Sequence, residues 1–139
     1  MQWILFALLS AVFAALVAIF GKIGIKGIDS TLATSVRAVV MAVFLVLVSL
    51  ILGKAKLLHS IENKTLLFIV LSGVSGAISW LFYFFALKTG PVSGVAALDR
   101  LSVVFVLILA ALFLGEHLTW KTGIGGILIT AGAVLMTLK

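Results

Sequence analysis

Three ionised side chains interrupt long apolar stretches of this 139-residue chain and are the first candidates for chemistry. Arg37, Asp99 and Arg100 each lie inside an apolar run rather than between two runs. Charged groups are costly in such surroundings, and those that persist bind solutes, relay protons or pair with each other. A carboxylate can exchange a proton or hold a cation, whereas a guanidinium donates hydrogen bonds to anions.

Two interpretations of Arg37 and Asp99 stay open. A salt bridge between them would neutralise both charges and lock two helices together, although desolvation can cancel the attraction. Alternatively, Asp99 is a titratable carboxylate that exchanges a proton or a cationic substrate. Asp99 and Arg100 point about 100° apart on a helix and cannot share one face. We therefore expect one of them to meet a cavity and the other a neighbouring helix, a partner subunit or the membrane interface.

A second group of candidates lies in the third apolar run. Four polar residues occur there at i, i+3, i+7 and i+11, which is one helical face: Ser72, Ser75, Ser79 and Tyr83. Gly73, Gly76 and Trp80 fall on the adjoining face. Small residues permit close helix packing, and a serine–aromatic stripe also lines mainly apolar ligand sites. The candidate substrate-binding residues are therefore Arg37, Ser79, Trp80, Tyr83, Asp99 and Arg100, which Ser10 and Thr34 could join.

The composition excludes most other functions. Hydrophobic residues make up 64% of the chain and charged residues 10%, against about 45–50% and about 25% in soluble domains. A soluble enzyme of this size, a disordered tail and a disulfide scaffold are therefore excluded. The chain has no cysteine and two isolated histidines. We predict no metal site, no cofactor and no enzymatic activity, because no nucleophile–base set is present.

The elements that position these residues are five apolar runs, each near the length that spans a bilayer, about 20 residues. They are Trp3–Phe20, Thr31–Leu52, Thr65–Leu87, Val92–Leu114 and Thr122–Leu138. Backbone amides in lipid must bond within the segment, so the runs predict helices. The fold class predicted is an all-α membrane protein with one five-helix domain over residues 1–139. The first run lacks a basic start, and we expect a retained helix rather than a signal peptide.

The short connections carry helix-end chemistry. Asp29 and Ser30 are candidate N-caps of the second helix, and Thr119 is a candidate cap of the fifth. Pro91 suits the first turn of the fourth helix. At about 1.5 Å per residue, Arg37 lies about 9 Å, Trp80 about 10 Å and Asp99 about 12 Å from the same membrane face. The candidates therefore form a polar layer off the bilayer centre.

The net charge of +6 is spread along the chain rather than gathered in one patch. We expect it to anchor the protein at anionic headgroups, not to bind nucleic acid. Four loop lysines fall on each side of the membrane: Lys54, Lys56, Lys64 and Lys121 on one, and Lys22, Lys26, Lys88 and Lys139 on the other. This balance leaves two alternatives, a single orientation decided by the embedded arginines, or dual topology with antiparallel pairing.

The fifth run carries a stripe of small residues: Thr122, Gly126, Thr130, Ala133 and Thr137. Such a helix is suited to close contact. We expect it to pack at a subunit interface, with packing inside its own chain as the alternative.

The order of these motifs resembles the EamA-type domain of the drug/metabolite transporter superfamily. Residues 115–119 read Gly-Glu-His-Leu-Thr and precede the helix with Gly-Gly-Ile-Leu-Ile-Thr-Ala-Gly at 125–132, similar to the end of that domain. Residues 83–88 and 90–93 resemble its junction between the third and fourth helices. Lys22 and Arg37 also fit, so the resemblance covers nearly the whole chain.

The resemblance implies one five-helix half of a transporter, as in small bacterial and archaeal members. It implies a multi-pass protein of the prokaryotic inner membrane that exports or exchanges small metabolites or drug-like solutes. A homodimer, with antiparallel pairing as one arrangement, or a pair with a paralogous half would enclose the cavity and work by alternating access. A non-transporting assembly subunit and a dual-topology ion channel are the alternatives. Relatives with four helices use a glutamate in the first helix, which this chain lacks, so Asp99 would have to substitute.

Overall fold

A computed structural model describes residues 2–138, and helices account for most of them. The elements in chain order are α1 (Gln2–Gly24), α2 (Ser30–Ile51), a 3-10 helix (Lys54–Ser60), α3 (Asn63–Thr89), α4 (Val92–Asp99), α5 (Ser102–Phe113) and α6 (Trp120–Leu135). Four stretches are long and apolar enough to cross a membrane: Gln2–Gly24, Ser30–Ile51, Asn63–Thr89 and Val92–Phe113. The predicted all-α membrane fold is confirmed.

The fifth apolar helix, α6, has 16 residues. At about 1.5 Å per residue it is about 24 Å long, shorter than the hydrocarbon core of about 30 Å. Large apolar side chains such as Phe13, Phe44 and Phe113 are more than half exposed on the isolated chain. These surfaces suit contact with lipid or with another membrane protein, because neither medium penalises an apolar side chain.

The fourth span is not the single continuous helix predicted for Val92–Leu114. It breaks between α4 and α5, at Arg100 and Leu101. The amide of Arg100 donates to the carbonyl of Ala97 at 3.1 Å, and that of Leu101 donates to Leu98 at 3.0 Å. These bonds join residues three apart, as in a tighter 3-10 turn, so the break keeps these amides paired. No proline or glycine lies at this position, so the local sequence does not predict the break.

The described chain divides into two compact units. One contains residues Ile23–Lys88, which hold α2, the 3-10 helix and α3. The other contains residues 2–22 and 89–138, which hold most of α1 together with α4, α5 and α6. In this second unit, the Nζ of Lys22 donates to the carbonyl of Gly90 at 2.8 Å. The bond ties the end of α1 to the residue before α4.

The small-residue face of α6 packs inside its own unit. A Cβ added to Gly126 would lie 3.4 Å from Leu107 of α5, and one added to Gly94 of α4 would lie 3.6 Å from Thr137. Gly126 and Ala133 are buried. The contacts described here correspond to the alternative considered for this helix, packing inside its own chain. Glycine lets α5 and α6 approach closely there.

The caps predicted at Asp29 and Thr119 are confirmed, whereas Ser30 is the first residue of α2 rather than its cap. Asp29 caps α2, and its Oδ1 accepts hydrogen bonds from the amides of Thr31 at 2.8 Å and Leu32 at 3.0 Å. Thr119 caps α6, and its Oγ1 accepts from the amide of Thr122 at 3.2 Å. Each cap satisfies first-turn amides that have no partner within the helix.

The Asp29 cap predicts a pH-dependent stability. The hydrogen bond from the Leu32 amide, reinforced by that from Thr31, lowers the pKa of Asp29 below its usual 3.8. The stabilising contribution is therefore complete above pH 3.8 and is lost as the pH falls through the folded pKa. We expect the melting temperature in detergent to fall in this range for the native protein and less for Asp29→Asn, which keeps an acceptor without the titration. Equal losses in both proteins would contradict this account.

Candidate functional site

The candidate site lies in the 23–88 unit and is built around Arg37 of α2. Its guanidinium carbon lies 3.5 Å from the centroid of the Trp80 ring and 5.7 Å from that of Phe84, both on α3. A cation within about 6 Å of an aromatic face is attracted by the negative potential of the ring. The stacking therefore stabilises a charge that the apolar part of the chain would otherwise leave poorly compensated.

Three aromatic rings of α3 pack together beside this cation. Trp80, Tyr83 and Phe84 are spaced i, i+3 and i+4, so helical geometry makes their side chains neighbours. The ring centroids of Trp80 and Tyr83 lie 5.3 Å apart at 73°, and those of Trp80 and Phe84 lie 6.1 Å apart at 55°. The first pair is edge-on, a favoured geometry for aromatic rings, and the second is tilted. Phe84 is buried, whereas Arg37, Trp80 and Tyr83 are partly exposed. We refer to these four residues as the Arg37 cluster.

Next to the cluster, a groove of about 530 Å³ runs between α2 and α3. Ligand pockets in proteins are about 300–1,000 Å³, so the groove has room for a small organic molecule. Its lining consists of Thr31, Thr34, Ser35, Arg37, Ala38 and Met41 from α2, and Gly73, Gly76, Ala77, Ile78, Trp80 and Leu81 from α3. Among these described residues Arg37 carries the single formal charge, and none is acidic.

Two hydroxyl groups of the groove are turned toward the backbone of α2. Thr34 Oγ1 donates to the carbonyl of Ser30 at 2.8 Å, and Ser35 Oγ donates to that of Thr31 at 2.9 Å. A hydroxyl has one hydrogen, so both oxygens retain only acceptor capacity. The hydroxyl of Thr31, which also lines the groove, bonds the carboxylate of Asp29. Among the residues that line the groove, the main donors toward a ligand are therefore the guanidinium of Arg37 and the indole N–H of Trp80.

Two glycines of α3 give the groove its depth. A Cβ added to Gly73 or Gly76 would have no described atom within 4 Å, apart from its immediate neighbours and its own helix backbone. These glycines are therefore not used for close helix packing within the described chain, one of the two interpretations considered above. Their missing side chains leave open volume opposite α2.

The structure brings some predicted site residues together and leaves others apart. Arg37, Trp80 and Tyr83 share one cluster, and Thr34 lines the groove. Ser79 is exposed and does not line it. The helical spacing alone could have indicated the α2 wall, since Thr31, Thr34, Ser35 and Ala38 follow an i, i+3, i+4, i+7 pattern.

Asp99 and Arg100 belong to the other unit and lie at the break between α4 and α5, where both are exposed. The salt bridge considered for Arg37 and Asp99 stays a prediction, as does the role of Asp99 as a proton acceptor.

Comparison with known proteins agrees with this architecture. A model of the EamA-like transporter family matches residues 1–138. A protein of Sinorhizobium sp., named as an uncharacterized transporter in the cobO 3' region, is 44% identical over 135 residues. The match covers 97% of this chain and 96% of that relative. No solved structure matches the chain.

The stacking of Arg37 on Trp80 predicts energetic coupling between the two residues. In a double-mutant cycle with Arg37→Gln and Trp80→Leu, we expect the two effects on the free energy of unfolding to be non-additive by about 0.5–1 kcal/mol. The free energies of unfolding of the native protein and the three variants, measured in mixed micelles, give this coupling. The control cycle pairs Arg37→Gln with Phe82→Leu, since Phe82 is 67% exposed on the same helix. A coupling of zero between Arg37 and Trp80 would show that the stacking contributes nothing.

Proposed function

This chain belongs to the EamA-like transporter family, and we propose that it carries small solutes through the groove between α2 and α3. Membership of the family makes it a membrane transporter. The observation that carries the proposal for the site is the Arg37 cluster beside a groove of about 530 Å³. A mainly apolar cavity with one fixed cation can orient a solute while most of the contact area remains hydrophobic.

Transport requires the groove to open to each side of the membrane in turn. We propose that two chains together do this by alternating access, in export or exchange. In transporters built from two related halves, one half rocks against the other around a solute site near the middle of the bilayer. The open side of a groove formed by only two helices suits closure by a second half.

The exposed charges of the fourth span support the dimer. Asp99 and Arg100 are adjacent and exposed, and the helical rise from Pro91 predicts a depth of about 12 Å in the membrane. Lipid cannot solvate them, so a protein surface or a watery cavity must. In a two-fold dimer, residue i of one copy meets residue j of the other and the reverse. We propose that Asp99 of each copy pairs with Arg100 of the other.

Filling the groove tests the transport site. Gly76→Leu places a Cβ where no described atom lies within 4 Å apart from its neighbours and its own helix, so the rest of the side chain extends into the groove. Replacing glycine in a helix interior also gains up to about 1 kcal/mol of helix propensity. We expect a folded protein whose transport falls to background. Proteoliposomes loaded with a panel of amino, carboxylic and amine solutes measure uptake of each labelled solute. Transport by the native protein is established first, by at least one solute that enters its proteoliposomes faster than protein-free liposomes.

Gly24→Leu is the matched control, because Gly24 also faces open space but lies at the end of α1, outside the groove. It should transport like the native protein. Normal transport by folded Gly76→Leu would reject the groove as the solute site, and no transport of any solute would reject the function for the chain alone.

A charge exchange tests the dimer. Asp99→Arg alone and Arg100→Asp alone should each weaken association, because each places like charges opposite one another. The double variant Asp99→Arg/Arg100→Asp should restore it, since the pairing is then only reversed. Energy transfer between two labelled populations of the protein in liposomes measures association. If the double variant is as weak as the single ones, these residues do not pair across the dimer.

A separate experiment determines the relative orientation of the two copies in the membrane. A reporter fused to the C-terminus and active on both faces of the membrane supports antiparallel pairing, and activity on one face rejects it.

A further inference from the structure

The chemistry of the groove points to one class of solute, and this inference rests on the transport site proposed above. We infer that the groove binds a water-soluble monocarboxylate with an apolar, preferably planar, body. The carboxylate would meet the guanidinium of Arg37, and the body would lie along the groove over Gly73 and Gly76.

The sign of the charge follows from the lining. Arg37 is the one formally charged residue among the described residues that line the groove. The acidic residues of the same unit, Asp29 and Glu62, lie in the segments before α2 and α3 and outside that lining. A cationic solute would therefore meet a like charge in a low-dielectric site. An anion instead completes a charge pair and gains charge-assisted hydrogen bonds.

The number of charges follows from the available donors. One guanidinium compensates one negative charge. Thr34 and Ser35 donate their hydroxyl hydrogens to backbone carbonyls, so their oxygens would repel a second carboxylate. The remaining lining is mainly alanine, glycine and large apolar side chains. A dianion would bring an uncompensated charge into this environment, and the cost of desolvating that charge disfavours its binding.

The geometry of Arg37 favours a carboxylate as the anion. The carbon of its guanidinium lies 3.5 Å from the Trp80 ring centroid. This stacking restricts the orientation of the planar guanidinium before any ligand binds. A planar fork presents two parallel N–H groups that match the two oxygens of a carboxylate. Because stacking on Trp80 has already restricted this side chain, less conformational entropy is lost when the solute binds.

The shape of the groove favours an apolar body. Gly73 and Gly76 leave open volume on α3, and Ala38 and Met41 form part of the opposite wall. Ile78, Leu81 and the exposed part of Trp80 add further apolar surface. A flat ring or a short branched chain can fill this space and displace water from it, which is the favourable term for apolar binding.

Binding is measured on the detergent-solubilised full chain with Trp80 as the single tryptophan. Trp3 and Trp120 are 72% and 84% exposed, so Trp3→Phe and Trp120→Phe remove two other fluorophores at little packing cost. Benzoate is the probe, and benzamide, benzylammonium and phthalate serve as neutral, cationic and dianionic comparisons. We expect benzoate to change the Trp80 emission in a saturable way. Benzamide and phthalate should bind at least about tenfold more weakly, and benzylammonium should not bind.

Two variants assign the binding to Arg37. Arg37→Gln should raise the Kd of benzoate at least about tenfold. Lys56→Gln removes an equal charge from the 3-10 helix, outside the groove, and should leave the Kd unchanged. Equal binding of benzoate and benzamide, or equal effects of the two variants, would overturn the inference. A fold defect in Arg37→Gln is recognised by its melting temperature, and Arg37→Lys then supplies the test: it keeps the charge, loses the fork, and should bind with intermediate affinity.

A last comparison distinguishes a solute from a lipid carboxylate. Laurate carries the same headgroup on a membrane-soluble chain. Arg37-dependent binding of laurate without benzoate would assign the groove to bilayer fatty acids and overturn the inference. Failure of benzoate to bind while other solutes are transported, with Gly76→Leu blocking them, would refute the carboxylate class and leave the transport function intact. Benzoate binding without transport of any solute would support the carboxylate class and refute the transport function.

Discussion

Hydrocarbon supplies no hydrogen-bond partner, and this constraint determines most of the structure. Every backbone amide and carbonyl in the spans must bond within the chain, so the apolar runs become helices. The same requirement shapes the ends and the irregularities. Asp29 and Thr119 satisfy the first amides of α2 and α6. Where the fourth span departs from the α-helix, bonds between residues three apart keep its amides at Arg100 and Leu101 paired.

The constraint applies even more strongly to charge, and the chain handles its two arginines differently. Arg37 is partly shielded and lies against Trp80 and Phe84, whose ring faces compensate part of the positive charge. Arg100 is exposed beside Asp99, at a break in a helix. The first arrangement leaves a guanidinium with donors directed at a groove. The second leaves a neutral pair of opposite charges that suits a complementary protein surface. The proposed function uses the first as a site for the solute and the second as a surface for a second half.

The helices were largely predictable because their determinants are local. The apolar runs located the spans to within a few residues, and Asp29 and Thr119 were identified as caps because capping depends on a few consecutive residues. The break after Asp99 was not predictable, since no proline or glycine lies there. The groove was only partly predictable. The helical spacing put Trp80 and Tyr83 on adjacent faces, but the register between α2 and α3 decides which residue of α2 reaches them. Whether Gly73 and Gly76 contact a neighbour or open space depends on the distance between helices, which no local pattern encodes.

The short α6 affects the membrane around the protein. Its 16 residues span about 24 Å, about 6 Å less than an average hydrocarbon core. The lipid beside it must thin, or the flanking residues must reach outward, and either costs a fraction of a kcal/mol per ångström of mismatch. Because α6 packs on α4 and α5, the deformation lies beside the span that carries Asp99 and Arg100. Acyl-chain length thereby becomes a variable that acts on the protein: thick bilayers penalise this side of the molecule, and thin ones accommodate it.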